Sequence, residues 1–352
     1  MLFLLLAGTG AMGTSLINVL SRDESNTIIV TTRSKRANYG NVIYMQGNAK
    51  EISFLDTLLD KEYDAIFDFL VYSTTELENR IHKLLDHTKQ YFFFSSSRCY
   101  ANSMSPITEK SPRLVDVCSD IEYIATDEYA LAKGREENIL FSANQKNWTI
   151  IRPYITYNKY RLQLGVYEKE NWLKRALDGR TIVFPKDISE KKTTLTYGQD
   201  VAEVLSRLVG NEKAFGEAFH IVTNEVYKWG EILELYLDVI ENKIGTRPKV
   251  KMIDDSLGLQ EVWNPWQIKY DRLYNREFDA AKLESVIGEY RFKPTFSGLT
   301  ECLSDFLDDA KWLKSNIRYE AWCDRLTKEF MPLNQIEGRK AKLRYIKWRF
   351  IG

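Results

Sequence analysis

The sequence predicts an α/β protein: a doubly wound parallel sheet with a smaller α/β domain drawn mainly from the C-terminal half. Three observations predict it. The continuous apolar run Leu2 to Leu6 halts on a glycine, as a strand buried on both faces does. The turn Gly8-Thr9-Gly10-Ala11-Met12-Gly13 follows it and opens an amphipathic stretch carrying Leu16, Ile17 and Leu20. Short apolar runs then alternate with helical patterns as far as Ile151, the rhythm of parallel strands joined by right-handed crossovers.

Taken in order, a G-x-G-x-x-G between a strand and a helix is the context of dinucleotide binding. Gly8 permits the tight turn, Gly10 lets backbone approach a pyrophosphate, and Gly13 lets helix pack close on strand. The helix N-terminus then faces the phosphates, so Gly8, Thr9, Gly10, Ala11, Met12 and Gly13 are cofactor-binding candidates. The second strand, Thr27 to Thr32, ends about 20 residues beyond the glycines, where an acid that binds the ribose of NAD would stand. Arg33-Ser34-Lys35-Arg36 stands there instead. Guanidinium and ammonium groups suit a 2′-phosphate that a carboxylate would repel, so Arg33, Ser34 and Lys35 predict NADP over NAD, with NAD kept as the alternative.

The third and fourth strands are Val42 to Met45 and Asp64 to Leu70, alternating with helices around Ile52 to Leu59 and Thr75 to Leu85. Asn48, just past the third strand, is placed near the adenine. The fifth strand, Tyr91 to Phe94, runs into Ser95-Ser96-Ser97-Arg98-Cys99-Tyr100, and serines at the carboxyl end of a central strand point into the ligand crevice of a doubly wound sheet. A Ser- and Pro-rich connection leads to a long helix, about Ile121 to Asn144, carrying Tyr129-Ala130-Leu131-Ala132-Lys133. A tyrosine four residues before a lysine shares its helical face, and the ammonium favours the phenolate electrostatically. The sixth strand, Trp148 to Ile151, ends at Arg152-Pro153.

Composition narrows the classes. Lys+Arg and Asp+Glu are both 49, so no global field draws the chain to nucleic acid or anionic membrane. The four cysteines are scattered without a C-x-x-C pair and only three histidines accompany them, so no metal site is expected. The apolar start MLFLLLA lacks a basic region before it and breaks at Gly8, and a cytoplasmic location is expected.

The glycine-rich turn, the strand-end Ser-Ser-x-x-x-Tyr, Tyr-x-x-x-Lys and Arg-Pro, in this order, resemble the extended short-chain dehydrogenase/reductase family of NAD(P)-dependent nucleotide-sugar epimerases, dehydratases and reductases. The resemblance extends through Tyr197-Gly198-Gln199-Asp200-Val201-Ala202, Phe219-His220-Ile221-Val222, Phe278-Asp279-Ala280-Ala281-Lys282 and Lys293-Pro294-Thr295-Phe296, covering roughly residues 1–310. It implies that Tyr129 is the catalytic acid/base, that Lys133 assists it and holds the nicotinamide ribose, and that Ser96, four before the strand-end tyrosine, is the catalytic serine. It also implies substrate contacts at Ser96, Ser97, Tyr154 and Lys192, with Arg161, Lys174, Arg175 and Lys191 as further candidates for the nucleotide pyrophosphate or as surface charges. There are departures. Ala7 occupies a position that is usually glycine, and Ser97-Arg98 replace the acidic pair that a 4,6-dehydratase needs to eliminate water. Cys99 and His220 read as a packed thiol and a core histidine.

The expected domains are a dinucleotide-binding (Rossmann) domain, 1–153 with about 193–225 returning to it, and a substrate domain, 154–192 with 226–330. A tail, 331–352, follows, whose GRKAKLRYIKWRFIG has six basic residues and no acid. It is expected to pack on its own domain or a second subunit of a homodimer, rather than on lipid. The expected activity is oxidoreduction at a sugar carbon of a nucleotide-diphosphate sugar, by 4-ketoreduction or 4-epimerisation. The competing reading is a non-catalytic RNA-binding or scaffold protein of the same fold, against which the intact Ser96, Tyr129 and Lys133 and the zero net charge speak.

Overall fold

A computed structural model describes residues 1–351; Gly352, the end of the expected basic tail, lies outside the described residues. Seven parallel strands form the main sheet: β1 (Leu2–Leu6), β2 (Thr27–Thr32), β3 (Val42–Gln46), β4 (Ala65–Asp68), β5 (Tyr91–Phe94), β6 (Trp148–Ile151) and β7 (Glu217–Phe219). Their spatial order is β7-β6-β5-β4-β1-β2-β3. The chain winds outward from β1 through β2 and β3, then restarts on the other side of β1 at β4. The point of reversal lies between β1 and β4, where Leu6 is opposite Asp68, and crevices for ligands open beyond the carboxyl ends of strands at such a point.

The apolar runs are continuous because helices cover both faces of the sheet. Phe3, Leu5, Ile28, Val30, Phe67 and Phe92 point to one side, into a core shared with the helices Ala11–Leu20 and Gly198–Leu208. Leu4, Leu6, Ile66, Tyr91, Phe93 and Ile150 alternate with them and point to the other, against the helices Ile52–Leu58 and Ile81–Asp86.

Two expected helices are interrupted. The 75–85 segment forms Thr74–Glu78, begun by a reciprocal Ser73/Glu76 capping box, and then Ile81–Asp86. The 121–144 segment forms a single turn, Ile121–Ile124, capped by Asp120, and a separate helix Tyr129–Ser142. Side chains that cap helices account for the second break. Glu128 accepts from the Ala130 N–H at 2.9 Å while its other contacts, Arg98 at 2.8 Å and the Tyr123 hydroxyl at 3.1 Å, hold its carboxylate in place. Tyr129 is therefore the first residue of its helix rather than the middle of a longer one.

The chain divides into two compact units. The first comprises Met1–Thr156, Thr194–Asn224 and Glu277–Lys293, and the second comprises Tyr157–Thr193, Glu225–Arg276 and the chain from Pro294 onward. The segment 277–293 thus joins the first unit rather than the second, where the expected substrate domain placed it. Its reason is local: Ile107 bridges Phe278, Leu283 is buried in the core beside β7, and Lys282 pairs with Glu217 at 2.6 Å.

The second unit pairs the parallel strands Ile182–Pro185 and Val250–Ile253 and packs the helices Trp229–Ile244 and Thr295–Asp308 together. Arg175, a candidate for pyrophosphate, is fully buried there and pairs with Glu320 at 3.2 Å, Asp324 at 2.7 Å and Glu329 at 2.9 Å, so it serves the scaffold. The basic tail forms the helix Arg339–Phe350 and packs on Ile317–Thr327 of the same unit: Tyr345 is buried and bonds Asp324, and Arg318 lies 4.2 Å from the Trp348 ring. Among the described residues no helix is long and apolar enough to cross a membrane.

Candidate active site

At the end of β1 the chain turns through Ala7, whose φ of +54° lies in the left-handed region, and enters the helix Ala11–Leu20 at Gly10. A Cβ on Gly13 would strike the Gly8 carbonyl oxygen at 2.3 Å, so the close approach of helix to turn requires glycine. A Cβ on Gly10 would meet nothing within 4 Å. No side chain caps this helix and its first turn holds no acid, so its N–H groups and partial positive charge are open to an anion beside Gly10, Ala11 and Met12.

Beside the turn is a cavity of about 360 Å³ lined by Ala7, Thr9, Arg33, Asn48, Lys50 and Val71 among others. Arg33, Ser34 and Lys35 are all exposed. Asn48 sits at its edge, bonded through its amide to Glu51. Lys50 was missed in the sequence. It lines the same cavity, pairs with Glu76 at 2.9 Å, and stands two residues beyond Asn48, where no motif marks it. An open glycine beside an uncapped helix end, with the basic side chains of Arg33 and Lys50 on the adjoining cavity, fits an anionic dinucleotide.

The three serines after β5 have different fates. Ser95 donates to Glu137 at 2.6 Å and Ser97 donates to the Arg152 carbonyl at 2.7 Å, both fully enclosed. Ser97, expected on the substrate, therefore spends its hydroxyl on the scaffold. Ser96 instead accepts the Arg98 N–H at 3.2 Å and, among the described residues, gives its own proton to no protein acceptor. Arg98 also lays its guanidinium 5.2 Å from the Tyr129 ring centre, so one residue touches both Ser96 and Tyr129.

Tyr129 is half-buried, and the Lys133 ammonium lies 5.9 Å from its ring. That ammonium is not presented to solvent. It is buried, 4.6 Å over the Phe93 ring, and pairs with Glu136 at 2.8 Å. Asp68, at the end of β4, is fully buried nearby; it accepts the hydroxyls of Tyr72 and Tyr91, each at 2.9 Å, and burial raises its pKa. Neither acid was singled out in the sequence, although an aspartate inside the apolar run DAIFDFL and a glutamate three residues after Lys133 were both signals.

A second buried node lies behind the serines. Glu137 takes both Arg152 Nε and Nη2 at 2.7 Å and Arg113 at 3.0 Å, and Arg152 also reaches the Tyr100 hydroxyl at 2.9 Å. This ties the ends of β5 and β6 to the Tyr129–Ser142 helix. His220 beyond β7 is buried, its Nε2 2.6 Å from the Asp279 carbonyl, and burial lowers its pKa. Cys99 is fully buried. Of the remaining expected substrate contacts, Tyr154 belongs to the first unit, packed on Phe278, and Lys192 is an exposed residue of the second.

No protein-family model matches the sequence, and no curated protein matches it significantly. Solved structures do match. A dTDP-glucose 4,6-dehydratase from Bacillus anthracis in complex with NAD aligns at a TM-score of 0.68 and 17% identity, covering 89% of this chain and 98% of its own. The enzyme WbmH of Bordetella bronchiseptica in complex with NAD+ aligns at 0.66 and 13%, covering 88% and 99%. A UDP-glucuronic acid 4-epimerase from Bacillus cereus in complex with NAD aligns at 0.65 and 12%, covering 88% and 97%. The likeness is one of fold, and it spans both units' share of the chain.

Proposed function

We propose that this protein is an NAD(P)-dependent enzyme acting on a nucleotide-diphosphate sugar, by reduction of a 4-keto group or epimerisation at C4. The observation that carries the reading is the arrangement around Arg98. Its backbone N–H fixes the Ser96 oxygen as an acceptor, leaving the serine proton to point elsewhere, and its guanidinium lies over Tyr129. One residue thus touches both Ser96 and the Tyr129 ring, in the same unit as a cradle that fits a dinucleotide. The matching structures, bound to NAD and named as nucleotide-sugar enzymes, support the same class.

The turn at Gly8 to Gly13 would hold the pyrophosphate, Asn48 the adenine edge, and Arg33, Ser34 and Lys35 a ribose 2′-phosphate, which favours NADP. Lys133 would hold the nicotinamide ribose. When bound, the cofactor supplies or accepts a hydride at the sugar carbon. Tyr129 gives its phenolic proton to the sugar oxygen as a carbonyl is reduced and takes it back in the reverse direction. Ser96 donates a hydrogen bond to that oxygen as negative charge develops on it. Ser97 and Arg98 supply no carboxyl group to remove a proton and protonate a leaving hydroxyl, which disfavours a dehydratase. Ser97 is withdrawn from the substrate, and Tyr154, in the same unit as Ser96 and Tyr129, remains its proposed contact.

Tyr129→Phe tests this reading. It keeps the ring under Arg98 and removes only the hydroxyl, so folding and dinucleotide binding survive while turnover falls about 10²–10⁴-fold. The measurement is single-turnover kinetics with a panel of UDP- and dTDP-sugars and their 4-keto forms. Near-wild-type rates in the variant would overturn the assignment.

A further inference from the structure

Lys133 has a task on the cofactor in the reading above, yet its ammonium is directed inward. It lies in a buried nest made by Glu136 at 2.8 Å and the face of Phe93 at 4.6 Å, with Asp68 close enough to feel its charge. The nest is incomplete. Glu136 Oε2 has Lys133, while its Oε1 is buried and, among the described residues, has no hydrogen-bond partner. A buried carboxylate oxygen with no donor is costly, and the neutral acid costs less.

We propose that Glu136 is a positioning residue that withholds Lys133 from the cofactor while ionised and releases it on protonation. This inference rests on the dinucleotide-binding reading and adds a pH-dependent catch to it. The groups around Glu136 favour such a catch. From its own helix, Lys133 favours the carboxylate, and Asp127 at the helix start opposes it. From β4, Asp68 opposes it as well, and from β5 the Tyr91 hydroxyl is already committed to Asp68. On the packed Thr74–Glu78 helix, Glu76 is turned to Lys50, and Thr74 meets Asp127. Arg113 and Arg152, the other nearby cations, are taken by Glu137. Glu136 thus has one cation and two acids about it, and burial pushes its carboxyl up to about 7.

Protonation removes the charge that holds the ammonium, and Lys133 would then be free to turn toward the ribose of a bound dinucleotide. The affinity for the cofactor therefore falls as pH rises through neutrality, because the binding-competent fraction shrinks. Glu136→Gln cannot ionise and leaves Lys133 released at every pH.

The test is the dissociation constant of NADPH, read by fluorescence titration between pH 6 and 8.5 in the intact protein and in Glu136→Gln. Titration of the 2′-phosphate is common to both proteins and cancels in their ratio. The wild-type constant is expected to weaken relative to the variant by roughly tenfold or more across this range. A ratio that stays constant while both proteins bind overturns the catch and leaves the dinucleotide reading standing. Failure of the wild type to bind NADPH or NADH at any pH overturns both. Should Glu136→Gln not fold by circular dichroism, Lys133→Met takes its place: it removes the group being withheld and is expected to bind weakly with a flat ratio to the free-phosphate titration. A retained inflection near neutrality in Lys133→Met would equally overturn the proposal.

Discussion

Glu136 and Glu137 are adjacent in the chain and both fully buried, yet the fold treats them in opposite ways. Glu137 receives donors on both oxygens from Arg152, Arg113 and Ser95. Among the described residues, Glu136 receives only Lys133, on one oxygen. Successive residues of a helix are rotated by about 100°, so one carboxylate faces the ends of β5 and β6 and the other faces the end of β4. The difference separates a saturated polar node, which fixes backbone, from an undersupplied one beside a chemically capable lysine. Buried charge holds a structure together only where every lone pair is met.

The largest expected effect breaks the saturated side. Glu137→Ala removes the carboxylate that Arg152, Arg113 and Ser95 share and leaves buried donors of Arg152 and Ser95 unmet, at a cost of about 3–5 kcal/mol in denaturant unfolding. Glu136→Gln removes a single ion pair and puts a neutral isostere in place of a carboxyl raised to about 7, so its cost at pH 7 is no more than about 1–2 kcal/mol. Equal losses for the two would erase the distinction.

Next is the pH dependence of stability. The Glu136 carboxyl in the folded protein is raised to about 7 from an ordinary 4.5, so the folded state holds a proton that the unfolded chain has already lost. This contribution is fully present below pH 4.5 and is lost as pH rises toward and through 7. Its full size is on the order of 3 kcal/mol. The unfolding free energy of Glu136→Gln relative to wild type should therefore rise by that order between pH 5 and 8, measured in urea at each pH. A flat difference would mean that Glu136 is ionised throughout and that its unmet oxygen carries no penalty.

A smaller effect contrasts these enclosed charges with exposed ones. Arg33 lines the cavity beside the turn and, among the described residues, no ion pair holds its side chain. Arg33→Ala should reduce the preference for NADP(H) over NAD(H) by about 1–3 kcal/mol, with stability unchanged. Calorimetric titration with both cofactors checks it, and an unaltered preference would move the 2′-phosphate to Lys35 or Lys50.

The doubly wound sheet was legible because its signals are local and redundant: the central strands are continuous apolar runs, and Gly8 and Gly13 stand where a Cβ would strike its neighbours. Ser96, Tyr129 and Lys133 were singled out by their order along the chain. What the sequence concealed depends on which partner a side chain finds. Nothing in three consecutive serines tells which two are consumed by Glu137 and the Arg152 carbonyl. The helix break at Glu128 was hidden because glutamate is a good helix former, and its capping depends on Arg98 and Tyr123 arriving from elsewhere. Segment 277–293 returns to the first unit through Phe278 and Leu283, whose apolar side chains would suit either core.

The smallest prediction returns to the turn, where Ala7 is a second local cost beside the site. Its φ of +54° places a Cβ in the left-handed region, which costs an L-residue roughly 1–2 kcal/mol relative to glycine. The Ala7 N–H is fixed by the Thr31 hydroxyl at 2.8 Å, so the backbone is held in that conformation rather than relaxed out of it. Ala7→Gly relieves the strain but gives the unfolded chain more freedom, which returns about 0.4–1 kcal/mol. The net is a gain of about 0.5–1 kcal/mol in unfolding free energy, with affinity for the dinucleotide equal or better because the Cβ beside the cavity is gone. Ala7 is then a cost unconnected with chemistry, unlike the unmet oxygen of Glu136, whose removal should change the pH dependence of binding. Weaker binding by Ala7→Gly would instead show that the alanine stiffens the turn for its ligand, and the strain would belong with Glu136 among the costs the site uses.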